Sequence, residues 1–381
     1  MTLCEPNKCT GCCACFNSCA QHAIEMRPLS SGALVPVIDE NLCVECGRCE
    51  RACPVLNPHV QPSQPCRCYA AWATDDKLLE NAASSGVVSA LGKHIIDCGG
   101  VVYGTRFENQ RLVFAGAETV DGLLAFQGSR YVHAYVGNAY LQIEQHLKAG
   151  RKVLFTGTPC QVHGLRQFLR KDYDNLVAID LVCHGVAPLS YLNEYLRDRG
   201  VDMDYDNVVF RGKKGMSLVA KRNNEVLYSK YKLNDLFYTA YLKGLISREN
   251  CYTCPYASLS RYGDVTVGDF WGLKRTRQIA DHPFISVMFT NTERGNRLLA
   301  DCGDKVRCVE QPLEMATKSN GQLNHPCPRH EGRDKFLALY SRHGLVKSIK
   351  KTSLYKTFLK TSLRYRALLF ASKLKHLIYG K

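Results

Sequence analysis

Eight cysteines between residues 9 and 53 fall into two runs of one pattern. Cys9, Cys12, Cys15 and Cys19 read C-x-x-C-x-x-C-x-x-x-C, and Cys43, Cys46, Cys49 and Cys53 repeat it, the second run closing on Pro54. Three thiolates so spaced wrap a loop around the corners of an iron–sulfur cubane, while the fourth reaches the neighbouring cubane. The implied ligand sets are crossed: Cys9, Cys12, Cys15 with Cys53, and Cys43, Cys46, Cys49 with Cys19. The chemistry is one-electron transfer by two [4Fe–4S] clusters of the bacterial ferredoxin type. A zinc ribbon takes four ligands and would leave the others without a purpose. A disulfide framework needs an oxidising compartment, and the first residues offer no apolar export segment. Ala20 stands where a proline usually follows the fourth cysteine, which weakens that turn and removes no ligand. Cys4 and Cys13 fall outside the pattern and read as packing thiols.

A second group of cysteines lies further along. The apolar stretch Lys152–Phe155 breaks at Thr156-Gly157-Thr158-Pro159-Cys160-Gln161 and passes into helical spacing through Leu165, Phe168 and Leu169. The stretch 176–182 breaks in the same way at Cys183-His184-Gly185, before a helix over 189–196. Two successive strand–turn–helix units predict a parallel β-α-β core, whose ligands gather at the carboxyl ends of the strands. Cys251-Tyr252-Thr253-Cys254-Pro255 adds a C-x-x-C, by itself a redox dithiol or half a zinc site. Counted with Cys160 and Cys183 it makes four thiols, the number a third [4Fe–4S] cluster needs. Only the fold can bring those four together.

Several residues suit an anionic or flat ligand. Ser84, Ser85 and Gly86 precede a helix over 87–96, where free backbone N–H groups favour a phosphate and where serine is also an ordinary cap. Arg130 offers a planar fork to a phosphate or carboxylate, or is a surface arginine. Arg211 and Lys213 follow a strand near Val208. The segment 263–272 alternates like a strand and ends in a glycine-flanked Phe270-Trp271 turn, suited to a flat ligand or to a tight packing corner. An ordinary imidazole pKa near ~6.5 suits His184 to donate a proton; a structural histidine beside a cluster is the alternative.

These residues have to be positioned by a small module and a larger domain. Residues 1–56 form the cluster module, and 57–67 an extended, proline-rich linker. Residues 68–310 form the larger domain, opening with a strand at 68–73, and 311–381 a C-terminal extension. The 381 residues, 45% of them hydrophobic, suffice for a proper core, and no run approaches the ~18 apolar residues of a membrane span. Net charge is +15, and after Arg342 there are ten Lys or Arg and no Asp or Glu. Nucleic-acid binding wants such charge interleaved with base-reading or stacking residues on a folded face, and none is evident. Residues 347–381 return to helical spacing. Such a basic amphipathic helix lies on an anionic membrane surface or an acidic partner, or else packs on its own domain. Twenty cysteines without an export signal predict a reducing cytoplasm, with the inner membrane surface as the site of any peripheral contact.

Residues 68–300 resemble the coenzyme F420 hydrogenase/dehydrogenase β-subunit family, here behind a ferredoxin module. The resemblance is carried, in order, by Ser84-Ser85-Gly86, Gly128-Ser129-Arg130-Tyr131, Thr156 to Gln161, Cys183-His184-Gly185, Phe210-Arg211-Gly212-Lys213, Cys251 to Pro255, and Gly263-Asp264 with Gly268-Asp269-Phe270-Trp271-Gly272. It implies a mixed α/β, FAD-binding domain with its own cubane on Cys160, Cys183, Cys251 and Cys254. The candidate cofactor contacts are then Ser84, Ser85, Gly86, Ser129, Arg130, Tyr131, Thr156, Gly157, Thr158, Gly185, Arg211, Lys213 and Asp264, with His184 as the candidate catalytic residue. Members reduce or oxidise a deazaflavin, and plant relatives reduce a chlorophyll precursor with ferredoxin electrons. Gln127 departs from the lysine that commonly precedes the Gly-Ser-Arg-Tyr stretch. The expected protein is an α+β, α/β iron–sulfur flavoprotein with a basic helical tail. It would pass electrons between ferredoxin, or another redox protein, and a small-molecule substrate or coenzyme F420. The rival is a non-catalytic electron-transfer subunit of a hydrogenase, dehydrogenase or reductase.

Overall fold

The computed structural model describes residues 3–202, 205–211, 215–276, 279 and 284–379, with side chains as far as residue 371. In the N-terminal module, β1 (Ile24–Pro28) and β2 (Leu34–Ile38) form an antiparallel hairpin beside two short helices, Ala14–Ser18 and Arg48–Ala52. The module has an internal pseudo-repeat. Gly11 and Cys13 take left-handed backbone in the first ligand run, and Glu45 and Gly47 do so at the matching places of the second. The helix-ending cysteines also agree, Cys19 at φ −85°, ψ 101° and Cys53 at φ −77°, ψ 116°. Ala20 in place of proline therefore leaves that turn as tight as its counterpart, because each is closed by a backbone bond, Cys19 N–H to Phe16 O and Cys53 N–H to Glu50 O.

The larger domain is built on β3 (Arg67–Ala73), β4 (Val101–Glu108), β5 (Arg111–Ala117), β6 (Val153–Gly157), β7 (Leu176–Leu181), β8 (Asn207–Val209), β9 (Ser217–Arg222), β10 (Glu225–Tyr231), β11 (Val265–Asp269), β12 (Ser286–Thr290) and β13 (Val306–Glu310). Eight of these form one sheet in the order β13-β3-β12-β11-β7-β6-β4-β5, and β8 to β10 form a separate antiparallel meander. The parallel core expected from the strand–turn–helix units is present: β4, β6, β7 and β11 run parallel. Antiparallel strands extend it on both sides.

Successive residues of a strand face opposite sides. Val153, Phe155, Leu176 and Ala178 meet the helices Ala139–Lys148, Pro159–Leu169 and Leu189–Arg197. Leu154, Val177 and Ile179 meet the helices Val87–Asp97 and Glu293–Cys302. Both faces are covered, which is why these strands read as continuous apolar runs. The module belongs to the same core, since Cys12, Cys13, Ala14 and Ala52 pack with Val162 and Leu165. The linker crosses the domain surface, with Asn57 O accepting from Gln167 (2.7 Å) and Ser63 bridging to Arg261.

The tail forms the helices Arg333–Lys350 and Ser353–Tyr379. The second packs by its first half: Leu354 is buried, Ser362 donates to Asn234 (2.6 Å), and Tyr365 stacks on Tyr231 at 4.9 Å. Past that point Leu368 and Phe370 are 69% and 67% exposed. The expected single amphipathic stripe is not what forms. Leu359, Leu363 and Phe370 share a side of the helix at spacings of four and seven, and Leu368 and Leu369 fall off it. Among the described residues no helix is long and apolar enough to cross a membrane.

Candidate iron–sulfur and flavin site

The inner crossed set converges. Cys9, Cys12, Cys15 and Cys53 line one small cavity, with Cys4 and Cys13 also on its wall. Burial, then the neighbouring sulfurs of Cys12, Cys13, Cys9 and Cys53, hold Cys15 well above the usual thiol range. A hydrogen bond from Cys4 is the main cause that brings Cys9 down to about 6 and Cys53 to about 7. Cys4 reads as idle in the sequence because its partner Cys53 is brought beside it only by folding. Of the other set, Cys19, Cys43 and Cys49 pack on Ile24 and Ile38, and Cys46 is exposed on the outer face of the module. Apolar Leu42 and Val44 beside it are 52% and 62% exposed.

The third set also comes together. Cys160 opens the helix after β6, Cys183 follows β7, and Cys251 and Cys254 lie on and just after the turn Glu249–Thr253. Burial first, then mutual repulsion, raises Cys183, pushes Cys251 up to about 12 and Cys254 to about 11. Thiols held that far up keep their protons at neutral pH unless a metal takes the proton's place. Gly185 is required here, since a Cβ on it would lie 3.1 Å from Cys251 Cβ at a φ of +97°. Gly185 N–H and Thr158 Oγ1 lie 3.3 and 3.2 Å from the Cys183 and Cys160 sulfurs, positions suited to tuning a cluster. Among the described residues no three Cys, His, Asp or Glu close tightly enough for a single metal ion. A cubane, binding each cysteine through a different iron, spreads its ligands more widely.

The inner and third sets are neighbours through the helix Pro159–Leu169. Gly164, one turn beyond Cys160, faces Cys12. Two buried tyrosines fill the space: Tyr140 is raised by burial and by Cys12, Cys13 and Cys160, and Tyr256 by burial and by Cys160 and Cys12.

The flavin candidates divide. Along the carboxyl edge of the sheet stand Ser84 and Ser85, bonded to Ser286 at the start of β12 (3.4 and 2.6 Å). Gly86 follows with φ 71°, and Thr156, Gly157 and Thr158 end β6. Thr156 Oγ1 is buried without a partner among the described residues, and an orphaned hydroxyl at a strand end suits a bound polar ligand. Nearby, Tyr131 stacks on Tyr241 (4.8 Å), whose hydroxyl donates to Gly185 O (3.0 Å) and whose ring meets His184 at 5.4 Å. His184 Nδ1 lies 2.8 Å from Gln322, and burial lowers its pKa, favouring the neutral ring.

Other candidates are already engaged. Arg130 donates to the carbonyls of Ala125 (3.1 Å) and Phe126 (2.9 Å), closing the end of the helix Val120–Leu124. Ser129 O accepts from Phe210 N–H. Arg211 holds both oxygens of Asp269 (2.5 and 2.7 Å). Asp264 precedes β11, so it lies at the opposite, amino edge, 1% exposed, where Arg166, Thr292 and Ala178 N–H occupy its carboxylate. Lys213 lies outside the described residues. A groove of about 760 Å³ runs past Trp72, Ala73, Leu79 and Arg307, beside the Leu79 contact of Gly86. The sequence reading missed Trp72 and Arg307 because nothing marks β13 as the neighbour of β3.

Two ferredoxin-type ligand runs docked on a mixed α/β domain with four more convergent thiols define an iron–sulfur electron-transfer protein. Residues 8–57 match the 4Fe-4S dicluster domain, and residues 150–315 match the family described as the C terminus of the beta subunit of coenzyme F420 hydrogenase/dehydrogenase. Residues 150–315 thus carry the C-terminal domain of that β-subunit family. It is 25% identical over 259 residues to the F420-dependent formate dehydrogenase subunit beta of Methanocaldococcus jannaschii, covering 64% of this chain and 62% of that one. The chain thus spans about three fifths of that relative's length. A solved chain of the xenon-derivatised F420-reducing [NiFe] hydrogenase complex from Methanosarcina barkeri aligns with a TM-score of 0.46 and 18% identity, covering 78% of this chain and 94% of that chain.

Proposed function

We propose that the protein is an iron–sulfur flavoprotein. It exchanges single electrons with a redox protein at its N-terminal module and two electrons with an organic substrate at the carboxyl edge of its sheet. The observation that carries this reading is the order of the three thiol sets: an outer one reaching the surface at Cys46, an inner one around a small cavity, and a third one helix turn beyond it. Each set has the four cysteines that a [4Fe–4S] cluster needs. Ser84 to Gly86, Tyr131, Thr156 to Thr158 and Gly185 are the residues that would hold FAD. Bound there, cubanes supply one-electron transfer, and FAD supplies hydride exchange with an organic molecule.

The residues around these sites have matching tasks. Leu42 and Val44 give a redox partner an apolar contact at the outer thiols. Tyr140 and Tyr256 keep water out between the inner sets. Gln322 fixes the His184 ring, a neutral imidazole able to accept or return a proton at the substrate face. Coenzyme F420 is the first substrate to test, because the formate dehydrogenase relative depends on it.

The experiment is anaerobic reconstitution of the lone chain. The reading expects about twelve irons per chain, stoichiometric flavin, and F420 turnover with reduced ferredoxin. The Cys160→Ala variant is expected to lose about a third of the iron and keep the module's signals. Iron without flavin and without turnover would make the chain an electron-transfer subunit only.

A further inference from the structure

Arg248 is 2% exposed, yet its hydrogen bonds go only to neutral acceptors: Asn250 Oδ1 (3.2 Å), Cys9 O (3.0 Å) and Leu34 O (3.1 Å). Its Nη1 is buried with no partner among the described residues. A buried cation without counter-charge is costly, and proteins retain one where something negative sits beside it. No carboxylate fills that role among the described ion pairs.

Its position names the missing charge. The side chain reaches the carbonyl of Cys9 in the inner set, while its own carbonyl accepts from Cys251 N–H (3.0 Å) in the third set. Both sites are therefore tied to one residue. Gly11, inside the first ligand run, faces the same side chain, and a Cβ on it would lie 3.1 Å from Arg248 Nη2. His133, packed against Gly11 beside the same guanidinium, adds no second charge, because burial and Arg248 hold it well below the usual range.

We propose that Arg248 is the fixed counter-charge shared by the inner ferredoxin cluster and the cluster of the second domain, raising the electron affinity of both and leaving the outer cluster alone. This rests on the reading that both thiol sets hold cubanes. Net charge and hydrogen bonds to the sulfurs are among the levers that set cluster potentials, and a positive charge favours the more negative, reduced state. The residue would make each inner site a better electron acceptor than its thiol set alone, so that the relay runs inward from the surface.

The test is a redox titration of the reconstituted full chain followed by electron paramagnetic resonance. Arg248→Met is expected to retain its iron and to show two of three clusters with electron affinity lowered about tenfold, ~59 mV for a one-electron couple. The third should be unmoved, and Arg248→Lys should restore most of the shift. Three unchanged potentials, or three that move together, overturn the proposal. If the methionine variant loses iron, Asn250→Asp neutralises the guanidinium in place and should lower the same two. An unchanged pair there also overturns it. Wild-type protein without iron would instead refute the underlying cluster reading.

Discussion

Gly164 and Cys12 meet across the junction of the two domains: a Cβ on Gly164 would lie 2.8 Å from Cys12 Cβ and 2.9 Å from its sulfur. The module is seated on a helix with no room for one methyl group.

Gly164→Ala should therefore lift the module. Overpacking of this kind costs about 1–3 kcal/mol, more than the roughly 1 kcal/mol that alanine returns to a helix interior. The expected signs are a lower melting temperature, faster proteolysis within 57–67, and slower flavin reduction by ferredoxin with direct chemical reduction unchanged. Gly92→Ala, also in a helix but facing the movable end of Leu123 (2.9 Å), serves as the milder control.

Asp264 separates a fold role from a cofactor role. Its buried carboxylate accepts from Arg166 (3.0 Å), Thr292 (2.8 Å) and Ala178 N–H (2.8 Å), at the edge away from the other flavin candidates. Removing one partner of a buried ion pair costs roughly 3–5 kcal/mol. Asp264→Asn should lower the urea midpoint by a corresponding amount while the folded fraction keeps its flavin. A fully stable variant that had lost flavin would return Asp264 to the cofactor.

What the sequence made legible follows from how local each signal is. The ligand runs of the module are written within eleven residues each, so the crossed inner set was readable before the fold. The strands at 153 and 176 were readable because a strand buried on both faces is apolar throughout. Cys160, Cys183 and Cys251 could be counted but not gathered, since their meeting depends on the order β11-β7-β6. Arg130 and Asp264 misled for a related reason: a fork or a carboxylate looks free in sequence, whereas here backbone carbonyls and Arg166 claim them. Arg248 left no trace at all, because its neighbours Cys9 and Leu34 come from the other domain.

His163 gives a pH dependence with a definite sign. Its ring stacks on Tyr262 (3.8 Å) and bonds to Tyr256 Oη (3.0 Å), and burial, with His59 and Arg166, pushes it from 6.5 to about 4. Between those values the unfolded chain takes the proton and the folded chain refuses it. Its contribution to stability is whole above pH ~6.5 and falls toward pH ~4, by at most about 1.4 kcal/mol per unit. Urea midpoints measured at pH 7 and 5.5 should differ less in His163→Phe than in the wild type. An identical difference would assign the slope to other groups.

The basic tail exposes Leu359 and Leu363 on its packed half and a run of three apolar residues after its helix has left the domain. Ser362 and Tyr365 anchor it, and Leu368, Leu369 and Phe370 then stand exposed near Arg364 and Arg366. Charge draws such a segment to an anionic surface at about 1 kcal/mol per Lys or Arg, and the apolar side chains add burial. The full chain should co-sediment with vesicles containing anionic phospholipid and not with neutral ones, and raised salt should release it. Leu368→Glu with Phe370→Glu should abolish the binding without altering the iron content. Because these side chains lie beyond the last anchor, the substitution leaves the packed half of the helix intact. Equal binding to neutral vesicles, or none to anionic ones, would leave the tail a terminal helix packed on its own domain.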